Sequence, residues 1–255
     1  MHDPDPLNDT AGRSVPKTRD GSDVHAVLFD FGNTLFAHAS VDQTVQRVAI
    51  ELGSDIGAAE AARIAARIHA LAEAPTERHH QRDLHSDVWA ARWTAFYSIA
   101  DGQHPGLGEL LYAAMHDPFT WLPYAAVPTM LRNLRDAGIK IAVVSNTGWD
   151  VRAAFRAHGL FDLVDEFVLS CEVGVAKPSP AIFLHAAAAV GEPPSALVMV
   201  GDDPVADAGA VSAGIRTLLL PACPAGHDNG VGVVVAMTTN VLPDGTSARL
   251  GAITR

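Results

Sequence analysis

With 255 residues and 48% hydrophobic content, the chain is long enough for one large core, or for a core that carries a smaller insertion. Its 18 Lys and Arg face 29 Asp and Glu, a formal net charge of -11, which argues against duplex nucleic acid or an anionic membrane as partner. A small anionic substrate stays open, because a local site on an acidic protein can still be positive.

Residues 1–23 are polar and rich in Pro, Asp and Gly, without the apolar stretch of a signal peptide, and they read as a disordered tail. No apolar run approaches the ~20 residues that span a bilayer. The only cysteines, Cys171 and Cys223, are too few for a disulfide framework and lack metal-ligand spacing. A reduced, cytoplasmic setting is the expectation.

Short apolar runs then recur as "VHAVLF" (24–29), "IKIAVV" (139–144), "EFVLS" (166–170), "LVMV" (197–200) and "IRTLLL" (215–220). All but the first follow a segment with helical periodicity. Val127, Leu131 and Leu134 share a helical face behind Pro128, which suits a first turn. "SPAIFLHAAAAVG" and "DPVADAGAVSAG" each read as a helix closed by glycine. Apolar strands alternating with helices predict an α/β fold, a doubly wound, Rossmann-like parallel sheet with functional residues beyond its carboxyl edge.

Between the first two strands, "AAEAARIAARIHALAEA", "SDVWAARWTAFYSIA" and "GELLYAAMH" predict helices, with Ile64, Ile68 and Leu71 on one face of the first and Ser86 as a candidate cap of the second. The predicted organisation is a core over 24–36 and 125–221 and an inserted helical cap over 37–124. A C-terminal extension, 222–255, follows, and in it "VGVVVAM" is a candidate last strand.

Charged and polar residues stand at the strand ends: Asp30, Ser145-Asn146, Lys177-Pro178 and Gly201-Asp202-Asp203. Taken singly, each is explained by a turn, a helix cap or a loop. Taken in order, "DFGNT" (30–34), "IAVVSN", "EVGVAKPSPAIF" and "VMVGDDPVADAGAVSAG" resemble the four motifs of the haloacid dehalogenase-like hydrolases, mostly phosphatases, over about Val24 to Pro221. The resemblance implies Asp30 as nucleophile, forming an aspartyl-phosphate that water hydrolyses. It also implies Mg²⁺ held by Asp30, Asp202 and the carbonyl of Gly32. Ser145, Asn146 and Lys177 would bind the phosphoryl oxygens of a small phosphorylated metabolite. Thr34 belongs to the same loop and more plausibly braces it than touches substrate, while Asp203 or Asp207 would orient a water or hold Lys177.

Gly32 departs from the pattern. The resembling phosphatases carry there a second Asp that protonates the leaving oxygen, help worth ~10²–10⁴-fold. One reading is a phosphohydrolase of esters with good leaving groups, and some sugar-phosphate-hydrolysing relatives have a similar Asp-x-Gly-Asn loop. A second draws a surrogate acid from the cap, where "ERHHQRDLHSDVW" offers His79, His80, Asp83 and His85. A third is a 2-haloacid dehalogenase or a non-catalytic phosphometabolite-binding protein. The acidic cluster disfavours a metal-free dehalogenase, and retention of Asp30 and Lys177 disfavours loss of catalysis. In the cap, Trp89, Arg92, Trp93, Phe96 and Tyr97 are candidate lining residues, with helix packing the expected role of most of the aromatics. Arg82 and Arg92 are candidates for a second anionic group.

Overall fold

A computed structural model describes residues 24–78 and 81–239. The central sheet contains β1 (Ala26–Phe29), β4 (Lys140–Ser145), β5 (Glu166–Leu169), β6 (Leu197–Gly201) and β7 (Arg216–Leu219), in the order β5-β4-β1-β6-β7. Every pairing in it is parallel. A second, antiparallel ribbon pairs β2 (Phe36–His38) with β3 (Trp121–Pro123). The helices are α1 (Val41–Glu51), α2 (Ala58–Ala72), α3 (Pro75–Arg78), α4 (Ser86–Tyr97), α5 (Leu107–Met115), α6 (Val127–Asp136), α7 (Arg152–Ala157), α8 (Ser170–Val173), α9 (Pro180–Val190) and α10 (Val233–Thr239).

Alternate residues of the buried strands feed two cores, as the two-residue period of a strand requires. Val27, Phe29, Ile141, Val143, Val198 and Val200 face Val127, Leu131, Leu134, Phe155, Val234 and Val235 of α6, α7 and α10. Ala26, Leu28, Ala142, Val144, Leu197 and Met199 face Ile182, Phe183, Ala186 and Val190 of α9. Ser179 caps α9 by accepting from Ala181 N, Pro180 takes its first turn, and Gly191 closes it in the left-handed region at φ 71. With both faces covered, the sheet keeps only its strand ends for chemistry, and the chain crosses to opposite sides of β1 there.

A third cluster gathers Val45, Val48, Ala61, Ile68, Phe96, Tyr97, Leu107 and Leu111 from α1, α2, α4 and α5, so the inserted helices own a core apart from the sheet. Ile68 is buried in it, whereas Leu71 of the predicted face is 39% exposed. The two strands of the ribbon bracket this insertion and lie in a stretch that reads as strand-free in the sequence. Two further local expectations fail. Ser86 is the first helical residue of α4, and His85 precedes it without a side-chain cap. The "VGVVVAM" segment forms helix α10 rather than a strand, because Val231, Val234 and Val235 bury one side against the sheet's helical layer, a helical spacing. The predicted tail over 1–23 and the end of the extension, 240–255, lie outside the described residues. Among the described residues no helix is long and apolar enough to cross a membrane.

The cap helices seat directly on the sheet's loops. Ser170 Oγ, at the start of α8, donates to the Asp83 carbonyl at 2.5 Å. A Cβ at Gly148 would lie 2.2 Å from Trp89 Cβ, so only glycine lets α4 approach the loop after β4 this closely. Gly148→Val is therefore expected to destabilise the fold by about 1–3 kcal/mol through overpacking, with red-shifted emission as Trp89 is levered outward. Urea unfolding and fluorescence would measure both, and wild-type values of both would contradict the close seating.

Candidate active site

Asp30 follows β1 directly, its amide donating to the Val200 carbonyl at 2.9 Å, so the sheet itself aims the carboxylate. Lys177 reaches it from the loop before α9: Nζ donates to Asp30 Oδ1 at 2.5 Å and to Asp207 Oδ1 at 2.7 Å. Lys177 and Asp207 are both buried. Asp207 Oδ2 accepts from the amides of Asp202 and Asp203 at 3.0 and 2.9 Å. A Cβ at Gly201 would stand 2.0 Å from that same oxygen, so the strand must end in glycine for Asp207 to tuck beneath it.

Asp207 is thus the residue that holds Lys177. Asp203 plays a separate part, because its Oδ1 accepts from Val205 N and Ala206 N and closes the loop after β6. Asn146 exchanges two 2.8 Å hydrogen bonds with the Lys177 backbone, giving from Nδ2 and accepting at Oδ1, so its amide positions the lysine loop. Ser145, by contrast, is buried at the end of β4 and lines the cavity with no hydrogen bond to its hydroxyl among the described residues. Thr34 is fully buried, donates to Asp202 Oδ1 at 3.4 Å and does not line the cavity, which suits the bracing role.

Burial pushes the Asp30 carboxyl up to about 7; Lys177 opposes the shift, and Asp207 and Asp202 add to it. Asp202 is raised for the same reasons, burial first and Asp207 next. Burial works against the Lys177 ammonium too, yet Asp30 and Asp207 outweigh it and hold its pKa above the ordinary value. Three carboxylates share one ammonium, and the site is short of positive charge. Oxygens of Asp30, Asp202 and Asp207 lie within 4.8 Å of one another. The Gly32 carbonyl accepts no hydrogen bond among the described residues, and Gly32 lines the same cavity. This oxygen-only, negatively charged donor set fits a hard divalent cation. With Asp207 occupied by Lys177 and two amides, the carboxylates left for such an ion are those of Asp30 and Asp202.

The cavity measures about 470 Å³, and Asp30, Gly32, Asn33, Ser145, Asn146, Lys177, Asp202, Asp203 and Asp207 form its floor. All four tryptophans of the chain line it, Trp89 and Trp93 from α4 and Trp121 and Trp149 from the ribbon and the loop after β4. Tyr97 lines it as well, whereas Phe96 stays in the cap core. Packing spacing thus underestimated α4, whose aromatic stripe serves core and cavity together. Arg92 pairs with Glu77 and does not line the cavity, so it holds no second anion there. Arg82 does line it, with Nη1 donating to the Ala72 carbonyl at 3.0 Å. Of the surrogate acids, Asp83 lines the cavity with its pKa raised by burial, His85 does not line it, and His79 and His80 lie outside the described residues.

Gly32 is not demanded by the backbone. Its φ lies outside the left-handed region, and a Cβ would meet the Trp121 ring at an ordinary 3.6 Å. The backbone and the first side-chain atom therefore do not by themselves exclude a larger residue there.

An unforeseen support comes from the extension. Asn229 is buried, and its Nδ2 donates to the carbonyls of Asn33 and Thr34 at 3.2 and 2.9 Å, pinning the loop that carries Asp30. An "HDNG" turn carries no sign of a contact nearly 200 residues away.

A parallel sheet whose strand ends gather Asp30, Ser145, Lys177 and Asp202 under a helical cap defines a capped α/β hydrolase. Residues 24–214 match the model of the haloacid dehalogenase-like hydrolases, and the chain belongs to that family. It is 30% identical to ribulose-1,5-bisphosphate 5-phosphatase of Halopiger xanaduensis over 201 residues, 76% of this chain and 83% of that protein. It is 31% identical to glyceraldehyde 3-phosphate phosphatase of Methanopyrus kandleri over 185 residues, 70% of this chain and 76% of that one. A crystallised HAD phosphatase from Thermococcus onnurineus superposes with a TM-score of 0.54 at 25% identity, covering 81% of this chain and 90% of its own. The family and its phosphatase-named relatives make the chain a hydrolase of the phosphatase type.

Asn229→Leu keeps the volume near Thr34 but leaves two backbone carbonyls without donors. The expected loss of stability is about 1–3 kcal/mol in urea unfolding, and no measurable loss would remove Asn229 from its supporting role.

Proposed function

We propose that the chain is a Mg²⁺-dependent phosphohydrolase of small phosphorylated metabolites, sugar phosphates foremost, that works through an aspartyl-phosphate on Asp30. The carrying observation is the cluster of three carboxylates at the carboxyl edge of the sheet, two of them bonded to the buried Lys177 ammonium, beside the unengaged Ser145 hydroxyl. Two relatives named for sugar-phosphate phosphatases support the substrate class.

Asp30 and Asp202, with the Gly32 carbonyl, would hold the ion. When bound, Mg²⁺ supplies positive charge that lets a carboxylate and a phosphate dianion share the site. Lys177 and Ser145 bind the phosphoryl oxygens and offset the charge that builds on them in the transition state. Asp30 attacks phosphorus, the bond from phosphorus to the leaving oxygen breaks, and that oxygen takes a proton from water. A second water then attacks phosphorus, the bond to Asp30 breaks, and phosphate leaves with the carboxylate restored. Asp207 keeps Lys177 aimed and charged throughout, and Asn146 fixes the loop that delivers it.

The surplus of carboxylates favours this reading over metal-free cleavage of a carbon–halogen bond. It equally favours turnover over simple binding, since a phosphate sensor gains nothing from a carboxylate aimed at its anion.

With glycine at position 32, nothing on the loop protonates the leaving oxygen. Phosphate release across esters of rising leaving-group pKa, with and without Mg²⁺, is expected to be metal-dependent and to fall steeply. Gly32→Asp is expected to flatten that slope, raising the rates of alkyl esters up to ~10²–10⁴-fold. A flat wild-type slope would contradict the missing-acid reading, and metal-independent release would contradict the ion.

A further inference from the structure

The tryptophans that line the cavity do not all offer the same surface. Trp89 is buried, and Trp93 is packed by Tyr97, stacked at 5.6 Å between centroids, and by the Arg82 guanidinium, 5.3 Å from its ring centre. Trp121 and Trp149 are half-buried. Trp121 turns its benzo edge towards the loop that carries Asp30. Its Nε1 donates to the Met115 carbonyl at 3.2 Å, while Cζ3 and Cη2 stand 3.6 and 3.9 Å from where a Cβ of Gly32 would lie. Trp149 stands on the loop that begins at Ser145, and its amide donates to Thr147 Oγ1 at 3.2 Å, which fixes it there.

The two rings lie 6.0 Å apart between centroids at 32°, and the buried Phe31, the residue after Asp30, packs on both, at 4.8 and 6.1 Å. One indole therefore flanks the loop of the nucleophile, and the other flanks the loop of the phosphoryl-binding serine. The charged residues that line the cavity belong to the floor and to the cap helices, so this wall is apolar. A leaving group attached to phosphorus between the two loops meets ring carbon beside it. A ring with a hydroxyl-free face can lie flat on such a surface. An open-chain polyol turns hydroxyls to every side and leaves some of them unpaired against it, which costs free energy.

Resting on the phosphohydrolase reading, we propose that Trp121 and Trp149 form a platform for the leaving group and select phosphate monoesters whose leaving group is a ring with a flat apolar face, either a closed sugar ring or an aromatic ring. The phosphoryl group sits over Asp30 while the ring lies against the two indoles. Specificity then comes from the shape and apolar face of the leaving group, with flexible chains rejected because they match a flat wall poorly and lose more freedom on binding to it.

The test compares kcat/KM within two pairs of esters, with Mg²⁺ present: methyl ribofuranoside 5-phosphate against ribitol 5-phosphate, and benzyl phosphate against heptyl phosphate. In each pair a ring faces a chain and the leaving oxygen is a primary alkoxide, so the demand for a leaving-group acid changes little. The wild type is expected to favour the ring by roughly ten-fold. A preference in both pairs, or in one, supports the platform, and the pair that shows it says whether a sugar ring or an aromatic ring is read. Trp149→Leu and Trp121→Leu are each expected to lower the ring ester more than its chain partner and so to shrink that preference several-fold. Trp149→Phe, which returns a flat ring, is expected to recover part of it. Equal losses on ring and chain esters would overturn the proposal. So would a wild type that treats rings and chains alike in both pairs, a result that stands even if a variant fails to fold. Failure of the phosphohydrolase reading shows differently, as no metal-dependent phosphate release from any of the esters, and it would remove this inference as well.

Discussion

The site depends on one buried contact set, the Lys177 ammonium held between Asp30 and Asp207. A lysine in an apolar interior tends to lose its proton, and a carboxylate there tends to gain one. Here Asp30 and Asp207 hold the ammonium charged, while Lys177 offsets only part of the upward push on Asp30, and the arrangement persists because the partners are themselves pinned. Asp207 takes two backbone amides on its second oxygen. Lys177 sits on a loop that Asn146 ties to the end of β4. Removing one member of such a set strands a buried charge, which costs far more than the pair itself contributes. With Asp202 beside it the floor holds three carboxylates to one ammonium, two positive charges short, a deficit that a divalent ion would fill.

The cap closes the chemistry from above. Trp89 approaches Gly148 at a distance no other residue would permit, and Ser170 takes hold of the Asp83 carbonyl. The chamber between floor and cap is therefore lined by aromatic faces on the cap side and by charged groups on the floor. Gly32 brings no acid to the loop, so under the proposed chemistry the leaving group itself would carry part of the burden that a carboxylate would otherwise take. Trp121 fills the space beside Gly32 and packs on Phe31 at 4.8 Å, so apolar surface replaces the acid at that corner.

The sheet and its floor residues were legible because their signals are local. Parallel strands buried on both faces are continuous apolar runs, and each of Asp30, Ser145, Lys177 and Asp202 follows such a run or the loop after one. The roles of Asp203 and Asp207 could not be divided from sequence, since the choice depends on which carboxylate points inward beneath Gly201. The ribbon of Phe36–His38 and Trp121–Pro123 escaped notice because three-residue strands leave no periodicity to detect. Asn229 and Trp149 were missed for a different reason. Their roles come from contacts between distant segments, and a single turn or helix end carries no trace of them. Helix α10 was mistaken for a strand because a β-branched run reads as strand until tertiary burial decides its period.

The central claim is that Asp30 bears the phosphoryl group during turnover. It is tested most directly by acid-quenching the protein while it hydrolyses a phosphate ester with Mg²⁺, reducing the acyl phosphate with tritiated borohydride, and mapping the labelled peptide. The expected result is label on the peptide that contains Asp30, present only with substrate and absent from Asp30→Asn. Steady phosphate release with no label at Asp30, or undiminished release by Asp30→Asn, would contradict it.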